Sequence, residues 1–185
     1  MPRHTPTLRD WPSRNVCSKM ASRLVQLVYL MAPAYLANMA PPFVRFWRGW
    51  NPPINSRSLG SHKTVLGAFC GLAAAFTSTF AQSRVQWHGN LVDYAHWPMI
   101  GLLIGTGAIG GDVVKSFLKR RRGIVAGARW IPADQLDFAV GALLLIQPRA
   151  HLRGTDIALI LAFTFVGDIV VNQVSFRLGI RDTAW

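Results

Sequence analysis

The sequence predicts an all-α, polytopic integral membrane protein with about five transmembrane helices. Of its 185 residues, 51% are hydrophobic and only 15% are charged, and the mean hydropathy is +0.25. Soluble domains usually carry about 25% charged residues. Long apolar runs account for this deficit, and most of them reach the roughly 20 residues that a helix needs to cross a bilayer.

Residues 1–22 are predicted to form a disordered basic tail before a membrane-embedded domain at residues 23–185. Four cations and three prolines lie in residues 1–20, and the prolines disfavour a helix there. Because no small-residue cleavage site follows, a cleaved signal peptide is not expected. A start at Met20 is an alternative interpretation of the same tail.

The first three predicted spans differ in how far polar residues and prolines interrupt their apolar sequence. The first, at residues 24–44, is interrupted by Pro33 and Asn38, whereas the second, at residues 65–83, contains no charged residue. The third covers residues 94–111. All three are long enough to cross a membrane or nearly so.

The last two predicted spans carry polar groups. The fourth, at residues 134–147, is short, so its polar first turn is expected at the membrane interface. The fifth, at residues 157–176, contains Asp168 and, one turn later, Asn172. Buried polar groups in a span either face a functional site or bond to a neighbouring helix, and the sequence leaves both open.

Glycines recur at four-residue spacing in the third span, as the pairs Gly101/Gly105 and Gly107/Gly111. Although part of this run matches the letters of a dinucleotide-binding motif, it lacks the strand that such a motif requires. The spacing instead predicts two faces for close helix packing.

Sidedness follows from the distribution of lysine and arginine. With five spans, residues 45–64, residues 115–129 and the C-terminal tail share one side and hold 12 of the 20 cations. This side is expected to be cytoplasmic, although the basic N-terminal tail favours the reverse. The net charge of +12 does not indicate nucleic acid, because the cations lie in connections between apolar runs. Anionic lipid and phosphate are the expected partners.

Charged residues that suggest chemistry begin at the end of the third span. If that helix continues, Asp112, Lys115, Ser116 and Lys119 fall on one face, at i, i+3, i+4 and i+7. A divalent cation on Asp112, with the lysines neutralising phosphates, explains this pattern. The alternative is a polybasic stop at residues 120–122 that only fixes topology, but a topology signal has no use for a carboxylate.

Two further carboxylates, Asp134 and Asp137, stand one turn apart at the start of the fourth span. Acidic residues in a first turn also stabilise a helix through its dipole, so a structural role for Asp134 is an equal alternative. Asp137 lies deeper, directly before Phe138, and a metal-binding role is favoured. In the first connection, between the first and second spans, Lys63 is a candidate phosphate ligand and Thr64 a candidate helix cap.

Five segments of the chain resemble, in order, the motifs of the CDP-archaeol synthase family. The most specific are Gly111-Asp112-Val-Val-Lys115-Ser116 and Pro132-Ala-Asp134-Gln135-Leu-Asp137. The full set is residues 31–41, 59–64, 111–123, 132–138 and 178–185.

The resemblance implies a five-helix membrane enzyme, with residues 23–185 as its cytidylyltransferase domain. It implies transfer of a cytidylyl group from CTP to the phosphate of an unsaturated ether lipid similar to archaetidic acid, with Mg²⁺ as cofactor and pyrophosphate as the second product. The active site is expected to face the cytoplasm from the cytoplasmic membrane. Membrane lipids are further partners, nucleic acid is not, and a homodimer is left open.

The resemblance also implies roles for individual residues. The catalytic set is Asp112, Asp134, Asp137, Lys115 and Lys119, with the three aspartates as metal ligands. The substrate-binding set is Asn38, Lys63, Thr64, Ser116, Arg120, Arg121 and Gln135. One position departs from the family pattern, because Asn55 stands where an acidic residue is expected.

Three alternatives to this function remain at the level of sequence. A CDP-diacylglycerol synthase-like enzyme would use phosphatidate instead of an ether lipid. A CDP-alcohol phosphotransferase would need a denser run of aspartates, several with an adjacent glycine, than the chain contains. A transporter or scaffold would be favoured if Asp168 and Asn172 lined a pathway.

Overall fold

The structure, a computed structural model, describes residues 12–56, 58–60, 63–85, 87–125 and 128–179. Residues 1–11 of the predicted tail and the end of the last family-like segment lie outside the described residues. The described ranges contain five α-helices, two short 3₁₀ helices and no strand, which confirms the all-α prediction. The helices are α1 (Pro12–Met39), α2 (Val65–Val85), α3 (Trp97–Arg121), α4 (Ala133–Ala150) and α5 (Gly154–Arg177).

Four of these helical regions are long and apolar enough to span a membrane. They are Ser18–Val44, Val65–Val85, Tyr94–Arg121 and Gly154–Arg177. The 18-residue α4 is more polar, since its first turns carry Asp134 and Asp137 and its last turn Arg149. The expected position of its first turn at the membrane interface stays a prediction.

The start of α1 differs from the sequence prediction. The helix begins at Pro12, so the prediction of a disordered tail is wrong for residues 12–22. Proline is tolerated in the first turn of a helix because the N–H that it lacks has no partner there, which explains why Pro12 does not prevent the helix.

The centre of the bundle is made by α1, α3 and α4, whose fully buried side chains include Met31, Ile104 and Ile146. At one end, Arg23 of α1 donates two hydrogen bonds to Asp156 of α5, at 2.9 Å and 2.6 Å. Both helices therefore begin at that end. The charged residues of the predicted site lie at the other end.

Both predicted glycine faces of α3 are packing surfaces. A Cβ atom on Gly101 or Gly105 would lie within 2.9 Å of side-chain atoms of α2, and one on Gly107 would lie 2.5 Å from the carbonyl oxygen of Gly141 in α4. A Cβ on Gly111 would overlap the carbonyl oxygen of Asp137. This backbone contact sets the distance between the acidic parts of α3 and α4.

Gly111→Ala should therefore separate the two helices and damage the site without changing any charged group. We expect a lower melting temperature and a loss of activity, because the obstructing atom is backbone and cannot rotate away. The matched control is Gly110→Ala, since a Cβ at Gly110 has no neighbour within 4 Å. Thermal unfolding of both purified variants tests this, and equal melting temperatures would contradict it.

Candidate active site

Charged side chains from three parts of the chain meet at the end of the bundle where α3 ends and α4 begins. The described part of the chain places three of its aspartates and three lysines there. They are Lys63, which precedes α2, Asp112, Lys115 and Lys119 of α3, and Asp134 and Asp137 of α4. We call these six residues the charged cluster.

Lys115 lies at the centre of the charged cluster. Its Nζ atom is 3.2 Å from Asp112 Oδ1, 3.4 Å from Asp134 Oδ1 and 2.9 Å from Asp137 Oδ2. Asp112 reaches Lys115 because the two residues stand at i and i+3 on α3, as predicted. The side chain of Asp137 is only 4% exposed, so its carboxylate depends on this cation for compensation of its charge.

The other two lysines flank this centre. Lys63 Nζ forms a close ion pair with Asp112 Oδ2. Lys119 Nζ, on the opposite side, donates to both carboxylate oxygens of Asp134, at 2.9 Å and 3.0 Å. Cations and carboxylates therefore alternate across the cluster, which keeps like charges apart.

Backbone groups hold the α4 carboxylates in place. The N–H of Trp130 donates to Asp134 Oδ2 at 2.7 Å, and the N–H of Phe138 donates to Asp137 Oδ1 at 2.7 Å. Lys119 also donates to the carbonyl oxygen of Ala128, at 2.5 Å. The backbone contacts of residues 128–130 were not predictable from the sequence, because main-chain groups are the same in every residue type.

Two residues of the predicted substrate-binding set use their hydroxyl groups locally. Ser116 Oγ donates to the carbonyl oxygen of Asp112 at 2.8 Å. Thr64 Oγ1 accepts from the N–H of Gly67 at 3.1 Å, which is the helix-capping role considered from the sequence. Their contacts with a substrate stay predictions.

The other members of that set lie around the cluster. Arg120 donates to the carbonyl oxygen of Ile124 at 2.5 Å, and Arg121 is exposed at the end of α3. Gln135 is buried, and its Oε1 atom has no hydrogen-bond partner. Asn38 is half-buried in the last turns of α1.

Two polar features outside the cluster have local partners. Asn55 Oδ1 accepts from the N–H of Ser58 at 3.0 Å and so closes a turn. On α5, Asn172 Nδ2 donates to Asp168 Oδ2 at 2.7 Å. The two side chains of α5 thus bond to each other, an arrangement that the sequence reasoning did not consider.

The donor set of the charged cluster fits a hard divalent cation. Among the described residues, no three acidic, histidine or cysteine side chains are arranged as a ready metal site. Instead, three carboxylates point at one positive group, the Lys115 ammonium, and carboxylate oxygens are the ligands that Mg²⁺ prefers in proteins. A divalent cation would therefore compete with Lys115 for the same oxygens.

The four helical regions able to cross a membrane, with a charged cluster at one end of the bundle, define the chain as a polytopic integral membrane protein. The chain belongs to the CDP-archaeol synthase family, because a family model described as CarS-like, CDP-archaeol synthase, matches residues 20–185. This confirms the resemblance seen in the sequence.

Individual relatives agree with this assignment. The chain is 33% identical over 168 residues to a CDP-archaeol synthase of Methanospirillum hungatei, covering 84% of this chain and 100% of the relative. It is 34% identical over 168 residues to that of Sulfurisphaera tokodaii, covering 86% and 93%. It is also similar to a solved structure of an intramembrane enzyme of archaeal membrane lipid biosynthesis, with a TM-score of 0.66 and 29% identity, over 80% of this chain and 94% of the other.

Proposed function

We propose that this protein transfers a cytidylyl group from CTP to the phosphate of a membrane lipid, with an archaetidic acid-like ether lipid as the acceptor and pyrophosphate as the second product. The observation that carries the proposal is the charged cluster, which lies at the end of a membrane bundle of this family. Three carboxylates and three lysines at one membrane surface suit a reaction between two phosphate-bearing substrates.

Charge repulsion is the main obstacle to this reaction. An oxygen of the lipid phosphate attacks the α-phosphorus of CTP and forms a new P–O bond. The bond from the α-phosphorus to the oxygen that joins it to the β-phosphate breaks, and pyrophosphate leaves with that oxygen. Both reactants are anionic, so catalysis requires positive charge around the phosphates. Lys63, Lys115 and Lys119 supply it, and no nucleophilic side chain is needed because the lipid phosphate is itself the nucleophile.

Asp112, Asp134 and Asp137 would hold the divalent metal that cytidylyltransferases generally use, and we propose that this metal is Mg²⁺. When bound, the ion supplies positive charge next to the phosphates of CTP. With these carboxylates holding the ion, the ammonium of Lys115 would be available for a phosphate. We assign Lys119 to the pyrophosphate side of the reaction together with Arg120 and Arg121.

The remaining assignments concern the residues that contact the substrates and the side of the membrane that the site faces. Asn38, Thr64, Ser116 and Gln135 are proposed to contact the substrates. The site is proposed to face the cytoplasm from the cytoplasmic membrane, because CTP is available there and because 12 of the 20 cations fall on that side. The homodimer stays a prediction. The molecular mass of the detergent-solubilised protein would test it.

Activity should depend fully on a divalent cation. Purified protein treated with EDTA is expected to form no CDP-lipid from labelled CTP and an archaetidic acid analogue, and Mg²⁺ should restore the product, which is separated by thin-layer chromatography. Phosphatidate in a parallel reaction tests the CDP-diacylglycerol synthase alternative. Release of CMP from a CDP-lipid, without consumption of CTP, would indicate a CDP-alcohol phosphotransferase. If the protein converts neither CTP nor a CDP-lipid, a transporter or scaffold would be the remaining alternative.

A further inference from the structure

The connection between α1 and α2, which ends with Lys63 of the charged cluster, exposes large aromatic side chains. We call residues 43–50 the aromatic segment. Phe43, Phe46, Trp47 and Trp50 are all more than half exposed, with Trp47 at 60% and Trp50 at 76%. So much exposed aromatic surface within eight residues is unfavourable in water and indicates a partner.

The aromatic segment is fixed to the bundle, so its exposure does not result from a loose loop. Its first residues belong to a 3₁₀ helix, Pro41–Phe46, that follows α1 directly. Val44 is buried, and the N–H of Trp47 donates to the carbonyl oxygen of Val44 at 2.9 Å. The fold therefore holds Val44 inward while the aromatic side chains point out.

The position of the aromatic segment identifies the lipid surface as its partner. The apolar region that is able to span the membrane, Ser18–Val44, ends inside the segment, so residues 43–50 continue from a span into the interface. Tryptophan is the residue most suited to this depth, because its ring is apolar and its N–H is polar. In the sequence, Arg45 and Arg48 lie between these aromatic residues, and residues 41–64 contain no acidic residue.

The same connection leads directly into the charged cluster. The N–H of Val65 donates to the carbonyl oxygen of Pro52 at 3.1 Å, and the N–H of Ile54 donates to that of Lys63 at 2.8 Å. These bonds pair the chain that follows Trp50 with Lys63, whose ammonium contacts Asp112. Lipid headgroups held at the aromatic segment would thus lie beside the proposed reaction site.

We propose that the aromatic segment inserts into the lipid interface and binds anionic phospholipid headgroups, and that the lipid phosphate enters the charged cluster from this side. The insertion follows from the exposed aromatics at the end of a span, and the entry route rests on the proposed function. Trp47 and Trp50 supply interfacial affinity, while Arg48 attracts the negative headgroups.

Kinetics in proteoliposomes test the entry route. Trp47→Ser/Trp50→Ser is expected to raise the KM for the lipid phosphate, expressed as its mole fraction, by about tenfold, with the KM for CTP and the turnover at saturating lipid unchanged. Arg48→Gln should raise the lipid KM as well, because the lipid phosphate is itself an anionic headgroup. The matched control is Arg84→Gln, since Arg84 is an exposed arginine at the far end of α2. A lipid KM equal to that of the wild type in both segment variants would overturn the route.

A fluorescence measurement tests the insertion without any use of activity. A polarity-sensitive label is attached at Trp50→Cys in a Cys17→Ser/Cys70→Ser background and reconstituted in vesicles with and without anionic lipid. Emission shifted to the blue, more strongly with anionic lipid, is the expected result. Emission equal to that of the label in water would overturn the insertion. If the protein showed the blue shift but no cytidylyl transfer, the insertion would stand and only the proposed function would be removed.

Discussion

Asp137→Asn should lower the rate of CDP-lipid formation on the order of 10³-fold while the protein remains folded. The Asp137 carboxylate is the most buried of the three in the charged cluster, and it lies 2.9 Å from Lys115 Nζ. Asparagine keeps the shape and its Oδ1 can still accept from the N–H of Phe138, but it removes the negative charge that pairs with Lys115 and that the proposed metal would need. The measurement is single-turnover transfer from labelled CTP at saturating Mg²⁺.

The control for this variant is Asp93→Asn. Asp93 is 72% exposed at the opposite end of the bundle, where it pairs with His96, so removal of its charge should leave the transfer rate unchanged. Melting temperatures of both variants separate lost chemistry from lost folding. An active Asp137→Asn enzyme would remove Asp137 from the metal-binding set.

Local spacing allowed one half of the charged cluster to be predicted from the sequence. Asp112 and Lys115 stand at i and i+3, and a continued α3 places both on one face, where their 3.2 Å ion pair is found. The five helices and the two glycine faces were predictable for the same reason, because hydropathy and helical periodicity are local properties.

Contacts between distant parts of the chain were not predictable in the same way. The pairing of Lys63 with Asp112 spans 49 residues, and it depends on how the connection before α2 folds back over the end of α3. The central position of Lys115 among three carboxylates depends on the close approach of Gly111 to α4. The helical start at Pro12 was not predicted, because the low helix preference of proline disfavours a helix there. Proline is nevertheless tolerated in the first turn of a helix.

Lys115→Met should lower the transfer rate on the order of 10²-fold and change how the protein responds to Mg²⁺. Without a metal, this variant leaves three carboxylates with only the two flanking lysines, so like-charge repulsion should lower its melting temperature. Added Mg²⁺ then binds the carboxylates without competition from an ammonium. We therefore expect a larger Mg²⁺-induced rise in melting temperature than in the wild type.

Two further variants make this result decisive. Lys19→Met is the matched control, because Lys19 is exposed and is the one lysine of the sequence outside the charged cluster. Lys115→Arg keeps the positive charge and should retain a melting temperature close to that of the wild type without metal, although a planar guanidinium cannot reproduce the point-charge contacts of an ammonium and activity should fall. Identical Mg²⁺-induced rises in melting temperature in the wild type and Lys115→Met would show that the ion does not bind where Lys115 lies. The three aspartates would then be partners of the lysines alone.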